Sequence, residues 1–351
     1  MRLGPFEPDL SIAETLPSAA YFDPETFSRE QERIFSRTWQ LVGPAAAASV
    51  PGDYFACDVG REPLVVARGE DGVRRALSNV CRHRAGPVAR GAGRAAALRC
   101  GYHGWTYGLD GALRAAPEWD GVRSFDRVAC RLPEFRLEDW RGMLFVNLDP
   151  EAASLAETLA PIAAESRMQP LERMRPFRTM DYEIACNWKV YVDNYLEGYH
   201  IPIVHPELFR RLDYRAYRVE TADGYSRQHA PYREGSASAA SEALYYWIFP
   251  NVMLNFYPDN LQTNAVIPLS PERTLTRFEW YALDPDRPGA AGEFERAFAF
   301  ADRVQREDIA ICEAVQKGLR SRTYDRGRYS VLRENGVHHF HGLLHRFLTE
   351  N

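Results

Sequence analysis

The chain has 351 residues, and its 43 Lys and Arg against 48 Asp and Glu leave a formal charge of −5. With 45% hydrophobic and 26% charged residues it has the composition of a folded protein with a sizeable core, which excludes a disordered chain. The slightly acidic balance gives no electrostatic reason to expect nucleic acid or an anionic membrane as partner. Six scattered cysteines, Cys57, Cys81, Cys100, Cys130, Cys186 and Cys312, are too thinly spread for a secreted disulfide framework.

Residues 1–25, rich in Pro, Ser and Asp, read as an arm. They lack the apolar segment of a targeting peptide, and no run reaches the ~18 apolar residues of a membrane span, so a cytoplasmic protein is expected. Asp23-Pro24-Glu25 opens a predicted helix, with Phe27, Ile34, Phe35 and Trp39 at helical offsets. From there the pattern turns to short β-rich pieces, Tyr54–Val59, Pro63–Arg68, Val73–Asn79 and Gly142–Asn147, separated by glycine turns. Glu151–Met174 reads as one or two bridging helices and Thr179–Ala185 as a strand. Tyr245–Tyr257 and Leu275–Leu283 suggest an antiparallel sheet, and Phe294–Leu319 a long helix. The small-residue stretch Ser236–Ser241 is assigned to a mobile loop. Near the C-terminus a further helix is predicted, with Phe340, Leu344 and Phe347 inward. The expected organisation is an arm and helix over 1–40, a β module over 41–150 and an α+β domain over 151–351.

Cys81-Arg-His83 is followed after 16 residues by Cys100-Gly-Tyr-His103, giving C-x-H-x16-C-x2-H. Two thiolates and two imidazoles arranged as two short pairs suit a Rieske centre, where the cysteines hold one iron and the histidines the other. Glycines at 86, 91, 93, 101 and 104 suit the tight turns required. The alternative is structural zinc, but zinc pairs more commonly read C-x2-C or H-x3-H, and the observed order favours the iron–sulfur centre.

A second constellation begins at Asn187-Trp188-Lys189 and continues as Asp193-Asn194-Tyr195-Leu196-Glu197-Gly198-Tyr199-His200, with His205 beyond Pro202. Two histidines five apart do not share a face of a regular helix. Pro202 is expected to bend the chain so that both reach one metal. Two imidazoles and one carboxylate form the facial triad of non-haem Fe(II) oxygenases. For the acid, Ala301, Val304, Asp308, Ile311 and Val315 recur at steps of 3, 4, 3 and 4, placing Asp308 on an apolar stripe where a buried carboxylate needs a cation. A salt bridge to Arg or Lys is the competing explanation. Glu307, about 100° around the helix, reads as solvated. Glu197 and Asp193 lie three and seven residues before His200, on one helical face. Glu197 is the better candidate for orienting the ligand, whereas Asp193 equally suits a local backbone hydrogen bond.

Together these residues resemble the catalytic alpha subunit of the Rieske non-haem iron oxygenases, the ring-hydroxylating and N- or O-demethylating family. The resemblance spans nearly the whole chain: Trp39-Gln-Leu-Val-Gly, both Cys–His boxes, the N-W-K…D-N-Y-L-E-G-Y-H-x4-H run and the E-D-I-A-I-C-E-A-V-Q-K-G-L helix. It implies an α+β protein in which an all-β Rieske module precedes a helix-grip, START-like catalytic domain with an antiparallel sheet. By the same resemblance Cys81 and Cys100 bind one iron of a [2Fe-2S] cluster and His83 and His103 the other. His200, His205 and Asp308 hold a mononuclear Fe(II). Glu197 matches the acid that bridges to a cluster histidine of the neighbour in a head-to-tail homotrimer, and Asp193 and Asn194 are further candidates in that run. Gly101 stands where many relatives have proline. Glu rather than Asp at 197 resembles the branch that oxidises carnitine, choline and betaine.

The family chemistry uses O2 and electrons from NAD(P)H. No G-x-G-x-x-G follows a strand, so a separate flavin and iron–sulfur reductase, with or without a ferredoxin, is expected to supply them. The expected reaction hydroxylates or oxidatively demethylates a small N-methylated or quaternary ammonium compound. If it is a monooxygenation, one oxygen atom enters the substrate and the other leaves as water. Alternatives are hydroxylation of an aromatic ring or O-methyl-aryl compound, a non-catalytic iron–sulfur electron carrier, and a colourless zinc hydrolase built on His200 and His205. Tyr245, Tyr246, Trp247, Phe249, Phe256 and Tyr257 can form an aromatic cage for a cation or simply pack the sheet. His338, His339, His341 and His345 are read as structural, and Cys57, Cys130, Cys186 and Cys312 as buried thiols.

Overall fold

The structure, a computed structural model, describes residues 3–165, 171–233, 235, 242–257 and 260–349. The Ser236–Ser241 stretch lies outside the described residues. Two compact units are formed, Phe35–Pro161 and the combination of Met1–Ile34 with Ile162–Asn351. The helices are α1 (Pro24–Glu30), α2 (Leu155–Thr158), α3 (Ala160–Glu165), α4 (Trp188–Tyr195), α5 (Ile201–Val204), α6 (Pro206–Arg211), α7 (Ala290–Leu319) and α8 (Asn335–Thr349). No helix among the described residues is long and apolar enough to cross a membrane.

The unit Phe35–Pro161 carries β1 (Gln40–Pro44), β2 (Asp53–Val59), β3 (Glu62–Arg68), β4 (Arg74–Ser78), β5 (Ala92–Arg94), β6 (Leu98–Arg99), β7 (Thr106–Tyr107), β8 (Leu113–Ala115), β9 (Glu134–Trp140) and β10 (Met143–Asn147). They form a seven-stranded sheet in the order β1-β10-β9-β4-β3-β2-β5 and a three-stranded sheet β6-β7-β8, with antiparallel pairing throughout. Strand β3 is apolar on both faces and buried on both. Leu64 and Val66 pack with Leu144 and Val146, while Val65 and Ala67 pack with Leu77, Cys81, Cys100, Trp105 and Tyr107. The two Cys–His loops are thereby seated on a core rather than left as free turns.

In the other unit β11 (Arg175–Ile184), β12 (Arg218–Ala222), β13 (Tyr225–Pro231), β14 (Glu242–Ile248), β15 (Val252–Phe256), β16 (Asn260–Ser270) and β17 (Arg273–Ala282) make one antiparallel sheet, ordered β11-β17-β16-β15-β14-β13-β12. Helices α4, α7 and α8 lie on one face of it. Tyr195 of α4 donates to Asn255 Oδ1 (2.7 Å), Gln305 of α7 to Thr276 Oγ1 (3.2 Å), and Phe340 of α8 stacks edge-on against Trp247 with ring centres 5.3 Å apart. This is the expected α+β architecture, an all-β module and a separate unit in which a sheet is gripped by a long helix.

Several local expectations are revised. The first helix ends at Glu30, a π-helical turn follows over Gln31–Phe35, and Trp39 lies outside both. Its preceding residues group with the second unit because Glu30, fully buried, accepts from Lys189 Nζ (2.6 Å) and Trp188 Nε1 (2.8 Å). The two compact units meet in the sequence after Ile34 and after Pro161. Tyr245–Tyr257 resolves into β14 and β15 with a turn between them. On α7 the apolar stripe is not the buried face: Ile311 and Val315 are exposed, whereas Gln305, Cys312 and Gln316 are buried. The two glutamines tolerate burial because they are hydrogen-bonded, Gln305 to Tyr191 and Thr276 and Gln316 to Asn187, Tyr21 and Glu272. Cys186 and Cys312 are buried free thiols as expected, but Cys57 and Cys130 are only partly so.

Candidate metal centres and active site

Cys81 and His83 lie in the loop after β4, and Cys100 and His103 in the turn between β6 and β7. The first loop closes through Cys81 N–H to Gly86 O (2.9 Å) and Ala85 N–H to Cys81 O (3.0 Å). The second closes through Cys100 N–H to Trp105 O (2.9 Å) and Gly104 N–H to Cys100 O (3.1 Å). Gly104 adopts φ 74°, which glycine takes without strain. In the first loop the left-handed residue is instead Ala85, at φ 56°, and glycine at 86 serves proximity: a Cβ there would lie 3.0 Å from Cys100 Sγ. Gly101 faces open space, so proline's usual position imposes nothing here. Asn79 fixes the base of the first loop by accepting from Val88 and Ala89 N–H groups.

Both cysteines are buried and the two imidazoles lie side by side, 4.7 Å between ring centres. His83 stacks on Trp105 at 5.1 Å and Trp119 closes edge-on at 5.3 Å, while His103 is exposed. His83 Nδ1 is buried without a hydrogen-bond partner. A buried imidazole nitrogen lacking a partner beside two paired thiols and a second imidazole fits a cluster bound by two cysteines and two histidines. Tyr107, fully buried, accepts from the Arg82 N–H (2.9 Å) and sits 3.3 Å from Cys81 Sγ, so its own hydrogen is free to point at the sulfur.

The second centre is built on α4 and α7. Asn187 caps α4 by accepting from Lys189 N–H (3.0 Å), and Trp188 to Val192 are buried. Beyond the helix, Glu197 reaches forward to His200, its Oε2 accepting the His200 N–H (3.1 Å) and its Oε1 lying 2.5 Å from Nδ1. Pro202 does not bend a helix here. It sits in the first turn of α5, and the break falls at His205, φ −120° and ψ 68°, immediately before Pro206. A residue preceding proline is pushed out of helical conformation, and this turns His205 back toward His200. Their ring centres are 5.0 Å apart.

His200, His205 and Asp308 present ligand atoms within 4.8 Å of one another, the only such group of three metal-ligating side chains found among the described residues. Asp308 Oδ1 lies 3.0 Å from His205 Nε2 and 3.7 Å from His200 Nε2. It also accepts from Asn194 Nδ2 (2.7 Å). Glu307, expected to be solvated, is instead 2.6 Å from His205 Nδ1. Carboxylates only accept, so each Nδ1 carries its hydrogen and each Nε2 turns a lone pair toward Asp308. Two lone pairs and a carboxylate converging on one point require a cation, and two imidazoles with one carboxylate suit ferrous iron. Burial opposes charge on His205, yet hydrogen bonds and charges from Asp308 and Glu307 outweigh it and raise its pKa.

Asp193 lies outside this group. It accepts from Tyr21 Oη (2.7 Å) and pairs with His341 Nε2 (2.9 Å), whose Nδ1 meets Tyr329 Oη (2.6 Å), so it neither caps α4 nor faces the triad. His338 and His345 bind the carbonyls of Glu7 and Gly4. The aromatic stretch divides by strand alternation and turn. Tyr246, Trp247, Phe249 and Phe256 are buried in packing, whereas Tyr245 and Tyr257 join Tyr217, Tyr232 and Ile201, the residue after His200. Tyr195 stands beside them, and burial raises the phenol pKa values of Tyr195, Tyr217, Tyr245 and Tyr257, keeping all four neutral. Tyr195 and Tyr217 lie on other elements than the aromatic run, so that run alone does not point to them as members of the cluster.

Residues 38–126 match the Rieske [2Fe-2S] domain and residues 171–350 the ring hydroxylating alpha subunit (catalytic domain). Similarity extends along whole proteins. The chloroplastic choline monooxygenase of Arabidopsis thaliana is 36% identical over 98% of this chain and 85% of its own length. The carnitine monooxygenase oxygenase subunit of Escherichia coli (strain K12) is 31% identical over 95% and 93%. The quaternary ammonium Rieske monooxygenase CntA, solved in complex with L-carnitine, superposes with a TM-score of 0.86 at 28% identity, covering 97% of each chain. The two matched domains are those of an oxidoreductase that carries a [2Fe-2S] cluster and a non-haem iron and uses O2. The chain belongs to the Rieske oxygenases, in the family of ring-hydroxylating alpha subunits.

Proposed function

We propose that this protein is the terminal oxygenase component that hydroxylates a small quaternary ammonium or N-methylated compound, with electrons delivered by a separate reductase. The observation that carries the substrate class is the gathering of Tyr217, Tyr245 and Tyr257 around Ile201, the residue after His200, with Tyr195 beside these tyrosines and Glu197 near Tyr217. Neutral phenol faces attract a cation without the desolvation penalty of a second buried carboxylate. Likeness to choline and carnitine monooxygenases over the full chain supports the same class.

In this reading Cys81, His83, Cys100 and His103 hold the cluster, and His200, His205 and Asp308 the iron. The chemistry these groups supply when bound is single-electron transfer at the cluster and dioxygen activation at Fe(II). The chain's own residues set the conditions for it. Glu197 fixes the tautomer and ring plane of His200, Asn194 holds one oxygen of Asp308, and the tyrosines exclude water and orient the substrate cation. His103 is exposed, so its edge is open to an electron partner. In a head-to-tail homotrimer that partner is Glu197 of the partner subunit. Six cysteines without a disulfide suit a cytoplasmic protein.

Oxygen uptake and product formation, driven by a reductase, test the substrate class across choline, carnitine, betaine and a panel of aromatic hydrocarbons. Substrate-dependent uptake is expected with a quaternary ammonium compound and none with the hydrocarbons; the reverse pattern overturns the reading. A second expectation concerns the cluster alone. Hydrogen bonds to cluster sulfur stabilise the reduced, more negative state, so Tyr107→Phe is expected to lower the reduction potential. Voltammetry showing an unchanged or higher value would contradict it.

A further inference from the structure

We propose that Glu307 is a positioning residue for the iron site, setting the tautomer and ring orientation of His205. The inference rests on the mononuclear-iron reading above. His205 is 2% exposed and lies at a break between two short helices, where the backbone alone leaves its ring undirected. Its two nitrogens are taken by consecutive residues of α7, Nδ1 by Glu307 Oε2 at 2.6 Å and Nε2 by Asp308 Oδ1 at 3.0 Å. Neighbouring side chains on a helix diverge by about 100°, wide enough to grip an imidazole from opposite edges. No Arg or Lys pairs with Glu307 among the described residues, so its carboxylate is answered at His205.

The two histidines are therefore held differently. His200 is oriented by Glu197, three residues away on its own segment, whereas His205 is oriented from a helix 102 residues on. Because α7 supplies both the carboxylate of the triad and the carboxylate that aims His205, a shift of this one helix moves two of the three ligands together. Outer partners of metal-bound histidines raise ligand basicity and fix the donor lone pair, and their loss typically weakens metal binding by about 10–100-fold.

The test uses the full protein with its cluster intact. Glu307→Ala and Glu307→Gln are compared with wild type by Fe(II) equilibrium dialysis at the second site and by electron paramagnetic resonance after nitric oxide treatment. Glu307→Ala is expected to bind Fe(II) about 10–100-fold more weakly and to change the spectrum. Glu307→Gln, whose amide oxygen still accepts from Nδ1–H, is expected to lose less. Wild-type affinity and spectrum in Glu307→Ala would overturn the proposal, as would weakening accompanied by loss of cluster absorption, which would mean that Glu307 serves folding. A wild-type protein with no second Fe(II) site would overturn both this proposal and the reading beneath it.

Discussion

Asp308→Ala is expected to leave the visible absorption of the cluster unchanged while removing the mononuclear iron and abolishing turnover. The side chain sits where two imidazole lone pairs converge, 3.0 Å from one Nε2 and 3.7 Å from the other. Without it two neutral donors remain, and Asn194 loses its acceptor. The cluster loops belong to the unit Phe35–Pro161 and share no residue with α7. The loss of turnover should exceed the ~100-fold that removal of an outer partner costs. Reductase-coupled oxygen uptake and iron analysis check it. Retained activity, or bleaching of the cluster in step with the iron loss, would contradict the assignment.

Glu197→Gln is expected to retain both iron centres and to form product slowly even when the cluster is reduced in advance. Glu197 uses both oxygens, one on His200 Nδ1 and the other on the backbone N–H groups of Tyr199 and His200. Gln replaces one accepting oxygen with a donor, so one of these interactions fails and the negative charge beside His200 is lost. Under the proposed head-to-tail arrangement this carboxylate carries the link between subunits, and its neutralisation is expected to slow cluster oxidation by about 10–100-fold. Single-turnover absorbance of the reduced cluster after mixing with O2 and substrate measures this. Unimpaired cluster oxidation and product formation would remove Glu197 from the electron path.

What the sequence made legible was local. Each Cys–His pair spans at most four residues, and His200 and His205 lie five apart, so spacing alone exposes them. The fold class was legible for a related reason, since β3 declares its burial on both faces by an unbroken apolar run. Asp308 was singled out by a stripe that α7 does not bury: Ile311 is 37% exposed and Val315 44%, while polar Gln305 and Gln316 occupy the inner face. Hydropathy carries no record of a glutamine whose hydrogen bonds are completed by residues far along the chain. Glu307 was hidden in the same way, because a carboxylate one position from a ligand looks like any solvated acid until its partner, 102 residues earlier, is in place. Glu30 and Lys189, 159 residues apart and both buried, are a further instance, and they draw the first helix into the catalytic unit. Two of the four clustered tyrosines were hidden because α4 and the segment before β12, not the aromatic run, supply them.

The most direct test is metal analysis of anaerobically reconstituted protein together with its visible spectrum. A cluster and a mononuclear site predict three irons per chain and a coloured protein, with one iron, chelatable as Fe(II), lost selectively from Asp308→Ala. A colourless protein containing zinc, or a coloured one that never takes up more than two irons, would contradict the account.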